Sequence, residues 1–158
     1  EIDNSAFVAA SLKEVAIPDS VVKIGRSVFD KNVKLKKPAY LKKIKDGSVY
    51  YEARATIKAS GKKAVTYKAS RITKIKAKTS KVTIKKGKTT KLQTRVYISK
   101  KLKKGYLDPE ILKFTTSNKK VVKVSSKGTI KGLKKGKATV TVKLRTTGKT
   151  YKVNVKVK

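Results

Sequence analysis

The chain has 158 residues, with 44 Lys and Arg against nine Asp and Glu, and its formal net charge is +35 at pH 7. It contains no cysteine and no histidine, which excludes disulfides, thiolate or imidazole metal ligands, and catalysis by either side chain. Hydrophobic residues make up 38 % and aromatic residues 6 %, so the length allows one domain or two small ones around a thin aliphatic core.

The first 46 residues contain an internal repeat. Residues 1–7 (EIDNSAF) correspond to residues 23–29 (KIGRSVF), where Ile, Ser and Phe recur at an offset of 22. Self-similarity of this kind predicts a solenoid, in which each unit supplies a short strand and a turn and buries its apolar face against its neighbours. Residues 12–25 form one full unit, with a turn at residues 18–20. Its expected core residues are Leu12, Val15, Ile17, Val22 and Ile24.

This repeat resembles the BspA-type bacterial leucine-rich repeat, whose units read Ala-Phe, then Leu-x-x-Val-x-Ile-Pro-x-Ser-Val-x-x-Ile-Gly. The match runs from residue 6 to residue 25. Residues 35–44 keep part of the pattern but are shorter and richer in lysine, as in a degenerate last repeat. The resemblance implies that residues 1–46 are the C-terminal end of a repeat array. Because two units are too few to be stable alone, we expect further repeats upstream.

Residues 47–70 carry no motif that we can assign to a family. Apolar segments at 49–51, 55–57 and 64–67 predict strands, and Ser60-Gly61-Lys62-Lys63 is a turn signal. We expect a bridging or capping β-hairpin between the repeats and the next domain.

From residue 71 to residue 158, apolar and polar residues alternate with period two between glycine-containing turns. The alternation predicts a bent first strand with Ile72 and Ile84 near its ends, and a last hairpin over 138–157. Residues 99–110 are predicted to be a long basic loop. Seven or so short strands at this spacing predict a β-sandwich.

The stretch from residue 114 to residue 144 also resembles a known family. It contains Ser117-Asn118, a Val-rich strand at 121–124, Ser-x-Gly-x-Ile-x-Gly-Leu at 126–133 and Gly-x-Ala-x-Val at 136–140. This is similar to the signature of the group 2 bacterial Ig-like domain, and the resemblance covers residues from about 70 to 158. It implies a surface or secreted sandwich module rather than an enzyme. The expected fold is therefore mainly β: a short leucine-rich-repeat solenoid remnant plus a hairpin, followed by an Ig-like antiparallel β-sandwich.

The carboxylates do not form a recognisable catalytic or metal-binding motif. Asp108 and Glu110 are the one close pair after the repeat region, and Pro109 between them is typical of a polar turn. A calcium site or a glycosidase site requires more oxygen ligands or a second convergent carboxylate. We therefore expect neither catalytic residues, nor a metal, nor a cofactor.

The basic charge is concentrated after residue 46. Residues 1–46 hold ten Lys and Arg against six acids, whereas residues 47–158 hold 34 against three. Lysines on exposed strands block edge-to-edge aggregation. Self-repulsion of this much charge opposes the compact state, however, so we expect an anionic partner. The predicted polyanion-binding residues form three loop clusters: Lys85, Lys86 and Lys88; Lys100, Lys101, Lys103 and Lys104; Lys134, Lys135 and Lys137.

Expected partners are an anionic cell-wall polymer, or a host glycan or matrix protein, with nucleic acid bound only non-specifically. Lysine outnumbers arginine, and lysine suits diffuse charge contact better than bidentate recognition. Six tyrosines are candidates for stacking on sugars or bases, although Tyr is also an ordinary strand residue. They are Tyr50, Tyr51, Tyr67, Tyr97, Tyr106 and Tyr151.

The sequence therefore supports one leading hypothesis and two alternatives. The leading hypothesis is a non-enzymatic adhesion or structural module, secreted or on the bacterial cell surface, with a basic sandwich that binds anionic polymers. No apolar run is long enough to span a bilayer. The first alternative is an intracellular nucleic-acid-binding basic protein of ribosomal type. The second is an accessory domain of a larger secreted glycan-degrading enzyme.

Overall fold

A computed structural model of the chain describes residues 1–7, 10–44, 51–58, 63–98 and 101–158. The described residues are almost entirely in strands, turns and connecting segments, which confirms the prediction of a mainly β protein. The strands are β1 (Glu14–Ala16), β2 (Lys23–Ile24), β3 (Lys34–Lys36), β4 (Leu41–Lys43), β5 (Tyr51–Lys58), β6 (Val65–Lys68), β7 (Ile72–Ala77), β8 (Lys81–Ile84), β9 (Thr89–Lys91), β10 (Thr94–Ile98), β11 (Lys101–Leu107), β12 (Leu112–Thr116), β13 (Val122–Val124), β14 (Thr129–Gly132), β15 (Gly136–Leu144) and β16 (Thr150–Val157). Short 3-10 helices span Ala69–Arg71 and Pro109–Ile111.

Equivalent positions of the N-terminal repeat lie side by side. Strands β1 and β3 pair in parallel, and Ile2 forms a parallel bridge with Ile24. The rings of Phe7 and Phe29 stack with their centroids 5.5 Å apart. The predicted core of the unit is wrong at Leu12, which is 40 % exposed. The Pro18–Ser20 turn also brings Val21, rather than its neighbour in sequence, fully into the core.

Strand β5 connects the repeat region to the rest of the chain. It pairs with β2 and β4 through its first residues, with β6 along its second half, and with β11 at Ile57. These strands therefore form one seven-stranded sheet with β10 and β7. The predicted turn at 60–63 and the first strand predicted at 49–51 lie largely outside the described residues.

The C-terminal part of the chain is a sandwich. One layer is the sheet β12-β15-β16-β8. The sheet β13-β14-β9 and the strands β7 and β10 of the seven-stranded sheet pack against it: Thr94 on β10 contacts Tyr151 on β16, and Gly132 on β14 lies against Val157 on β16. Strand β7 pairs antiparallel with β10, whereas β8 pairs in parallel with β16. The chain therefore passes from one layer to the other between β7 and β8, as the predicted bend requires. The inward residues of the alternating strands are almost completely buried: Val96, Val122, Ile130, Val140, Val142, Leu144 and Val153.

Residues 101–107 correct the prediction of a long basic loop. They form β11, which pairs antiparallel with β10 on one side and with β5 on the other. Lysine is disfavoured in strands by intrinsic preference. Backbone hydrogen bonds from two neighbouring strands outweigh that preference, and the sequence pattern alone does not reveal those neighbours.

Candidate functional site: basic surfaces

Two of the three predicted lysine clusters meet at one end of the sandwich. The turn between β8 and β9 carries Lys85, Lys86 and Lys88, and the turn before β15 carries Lys134 and Lys135. The turns are joined through Gly132. Its nitrogen donates to the Lys88 carbonyl at 3.1 Å, and its carbonyl accepts from the Gly87 nitrogen at 2.8 Å. Lys137 follows on β15, and all six lysines are exposed. We call these six residues the end cluster.

Glycine at position 132 permits this close approach. A Cβ atom there would lie 2.9 Å from Cγ1 of Val157 and 3.1 Å from the carbonyl oxygen of Lys85. Any larger residue would therefore push the two turns apart. The end cluster thus depends on the Ile-x-Gly-Leu motif of the sequence.

The third predicted cluster does not join the end cluster. The end cluster lies next to the start of β9. The chain runs from there through β9 and β10, and Lys101 pairs with Ile98, the last residue of β10. Lys103 and Lys104 also belong to β11, not to a loop. Lys100 lies outside the described residues. The backbone of Lys101, Lys103 and Lys104 therefore lies apart from the end cluster.

The tyrosines proposed for stacking differ in their surroundings. The Tyr151 hydroxyl is 2.5 Å from Oγ1 of the buried Thr94, and burial raises the pKa of Tyr151 although the hydrogen bond to Thr94 opposes the shift. Tyr97 and Tyr106 each carry a lysine ammonium over the ring, at 5.8 and 5.7 Å from the centroid. Lys37 lies in the same way over Tyr51, at 5.0 Å. Tyr50 lies outside the described residues.

A second basic surface is the outer face of the sheet β12-β15-β16-β8. Along each strand the polar residues alternate with the buried ones and point to solvent. Lys113 on β12 lies opposite Lys143 on β15, and Lys137 on β15 lies opposite Lys156 on β16. We call this surface the outer face. The pairing of Lys113 with Lys143 could not be predicted, because the strand register is not visible in the sequence.

Asp19 and Arg145 join the repeat region to the sandwich. The Arg145 guanidinium donates to the Asp19 carboxylate, and its Nε donates to the carbonyl of Leu112 at 3.1 Å. The buried Tyr40 hydroxyl donates to the carbonyl of Asp19 at 2.6 Å. Asp19 lies in the predicted turn at residues 18–20, and its contact with Arg145 is not visible in the sequence.

In the described part of the chain, His, Cys, Asp and Glu side chains do not gather in groups of three that suit a metal ion. The helices among the described residues are too short and too polar to cross a membrane.

Comparison with known families identifies the sandwich. The profile of the bacterial Ig-like domain (group 2) matches residues 71–155. The chain belongs to this family. The match confirms the Ig-like resemblance drawn from the 117–140 motif. It does not extend to residues 1–46, whose resemblance to a leucine-rich repeat stays a prediction.

Solved structures similar to this group 2 Ig-like chain include three of the S-layer protein SbsC. Domains 4 and 5 are 21 % identical with a TM-score of 0.42, covering 76 % of this chain and 66 % of that one. The rSbsC(31-844) structure is 21 % identical with a TM-score of 0.41, covering 77 % and 19 %. Domains 1–6 are 21 % identical with a TM-score of 0.40, covering 76 % and 19 %. No curated protein matches the chain.

Proposed function

We propose that this chain is a non-enzymatic structural and adhesive module of the bacterial cell surface, secreted or wall-bound, whose basic sandwich holds an anionic polymer. The observation that carries the proposal is the end cluster. Five exposed lysines from two separate turns, and Lys137 at the start of β15, are brought to one end of a group 2 Ig-like domain. In the described structure these lysines form no ion pair with an acidic residue. A polyanion supplies the missing counter-charge.

The repeat region has a separate role in this proposal. Residues 1–46 are the end of a leucine-rich-repeat array that presents a recognition surface, and residues 47–70 bridge it to the sandwich. The parallel pairing of β1 with β3 and the stacking of Phe7 on Phe29 support this assignment. Phe7, the first ring of this pair in the chain, is 44 % exposed.

The test is retention of the purified chain on an anionic wall polymer and on heparin across a salt series. The triple variant Lys85→Gln/Lys86→Gln/Lys135→Gln should reduce the slope of log affinity against log salt by roughly 2 to 3, because three phosphate or sulfate contacts are lost. The matched control is Lys13→Gln/Lys31→Gln/Lys42→Gln, which removes the same charge from exposed positions in the repeat region. Failure of the wild-type chain to bind either polymer at low salt would remove the adhesive role.

A further inference from the structure

The outer face contains cations and hydroxyl groups in ordered rows. In the first row Lys113, Lys143 and Thr150 lie side by side across β12, β15 and β16. In the next row Thr115 and Thr141 are opposite each other. Lys152 completes that row on β16.

The rows continue toward the end cluster. Thr139 on β15 is opposite Asn154 on β16, which is opposite Lys81 on β8. The last row contains Lys137 and Lys156, with Thr83 on β8. Successive rows are two residues apart along each strand, so they repeat at about 6.6–6.8 Å.

Two shallow clefts lie over these rows. One, of about 600 Å³, is bordered by Lys81, Lys137, Asn154 and Lys156, among others. The other, of about 410 Å³, is bordered by Lys113, Lys143 and Arg145 and by Asp19 and Ser20 of the repeat region. Both clefts lie on the same sheet face, one toward each end of β15. A linear molecule lying along β15 would therefore contact both.

The six lysines of the outer face have no acidic partner among the described residues of their own strands, and Asp19, which borders one of the clefts, is paired with Arg145. Among the described residues of β8, β12, β15 and β16, none is acidic. The six lysines of the face form no ion pair with a described residue. Like charges directly opposite each other in an antiparallel pair, as at Lys113 and Lys143, are destabilising. An anionic group between the two ammonium groups attracts both, and these attractions outweigh their mutual repulsion.

We infer that the outer face is a binding track for a linear polymer that carries one anionic ester in each short, hydroxyl-bearing repeat, such as a polyol phosphodiester. Lysine ammonium groups bind the anionic esters as point charges. The Thr83, Thr141 and Thr150 hydroxyls and the Asn154 amide nitrogen donate to ester oxygens. The Thr115 and Thr139 hydroxyls already donate within the protein, to the Thr141 carbonyl at 3.5 Å and to Oδ1 of Asn154 at 3.3 Å, and they accept from polymer hydroxyls. The regular rows suit a repeating ligand. The inference rests on the proposed function for the class of ligand, but it assigns binding to a different surface.

The side chains of this face do not favour nucleic acid. Single strands bind by stacking bases on aromatic rings, and the described outward residues of these four strands include neither an aromatic side chain nor an arginine. Duplex grooves admit a helix or a narrow two-stranded ribbon rather than the side of a four-stranded sheet. The hydroxyl groups of the face match a polyol better than a base.

The test compares two variants with the same net charge. The face variant is Lys113→Gln/Lys143→Gln/Lys152→Gln, and the end variant is Lys85→Gln/Lys86→Gln/Lys135→Gln. Lys137 belongs to both surfaces and is left unchanged. Affinity is measured by calorimetry at low salt with poly(glycerol phosphate), heparin and poly(dT), after thermal melting shows that both variants fold. The face variant should bind poly(glycerol phosphate) at least about tenfold more weakly than the wild type, and more weakly than the end variant.

Each outcome decides a separate point. Equal weakening of both variants means that only net charge matters, and overturns the track. Weakening confined to the end variant also overturns it, but leaves the proposed function standing. Loss of wild-type binding to every polymer overturns the proposed function itself. Equal affinity for heparin extends the track to sulfate esters, whereas tighter binding of poly(dT) than of both other polymers overturns the choice of ligand.

Discussion

Asp19 and Arg145, which are 126 residues apart in the chain, form an ion pair between the repeat region and the Ig-like sandwich. We predict that the Asp19→Asn/Arg145→Gln double-mutant cycle gives a coupling of about 0.5 kcal/mol, because the exposed carboxylate is screened by water. Arg145→Gln alone should lower the unfolding free energy by about 1 kcal/mol more than Asp19→Asn, since it also removes the Nε bond to Leu112. Urea unfolding measures both. A coupling that is unchanged by high salt would contradict the assignment.

Tyr40 makes stability sensitive to alkaline pH. Burial, and next the nearby Asp19 carboxylate, raise its pKa from 10.0 to about 12, although Arg145 opposes the shift. The folded state therefore keeps the phenol proton more tightly than the unfolded chain. The resulting stabilisation is complete below about pH 10 and is lost as the pH rises toward 12. Tyr40→Phe should show a smaller fall in unfolding free energy over this window than the wild type. Both proteins contain the same lysines, so the difference between them reports on Tyr40. A Tyr40→Phe variant that loses stability as steeply as the wild type over this window would contradict the role of Tyr40.

Alanine substitutions at Gly128 and Gly87 distinguish the cost of backbone strain from the cost of a steric clash. Both adopt positive φ, +77° and +79°. A Cβ at Gly128 would lie 2.9 Å from Cζ of Phe114, whereas nothing lies within 4 Å of the equivalent atom at Gly87. Gly87→Ala should destabilise by about 1 kcal/mol, the conformational term alone. Gly128→Ala should destabilise by about 3 kcal/mol, because overpacking is added. Equal losses in chemical denaturation would refute the role of Phe114.

Alanine substitutions at Leu144 and Leu133 test whether burial in the sandwich interior stabilises the fold. Leu144 is 0 % exposed, at the end of β15, whereas Leu133 is 36 % exposed. Leu144→Ala should lower the unfolding free energy by about 2 to 5 kcal/mol through lost burial and a cavity. Leu133→Ala should lower it by less than about 1 kcal/mol. Similar effects of the two substitutions on the thermal midpoint would show that the packing is not as described.

The sandwich could be predicted because its sequence pattern is local. Leu92, Thr94, Val96 and Ile98 alternate with polar residues in the sequence, and all four are buried. The glycine turns between Ser117 and Val140 fix where strands end, and period-two alternation fixes which side faces inward. Neither signal requires knowledge of a partner strand.

The long-range pairings could not be predicted in this way. Strand β11 is lysine-rich and is formed because β10 and β5 pair with it. The outer face depends on the register that places Lys113 opposite Lys143, thirty residues later in the chain. The hydroxyl pair of Thr94 and Tyr151 spans 57 residues. Such contacts arise from strand order, which residue spacing within one segment does not encode.

Strand β5 has a mechanical consequence. It is hydrogen-bonded near its start to the repeat strands β2 and β4, and near its end to β11, which pairs with β10 of the sandwich. A pulling force on the N-terminal part therefore reaches the sandwich through rows of backbone bonds rather than through a slack tether. Swivelling between the two parts would require those bonds to break. The chain would behave as a stiff spacer that keeps the repeat region and the sandwich at a fixed distance from each other.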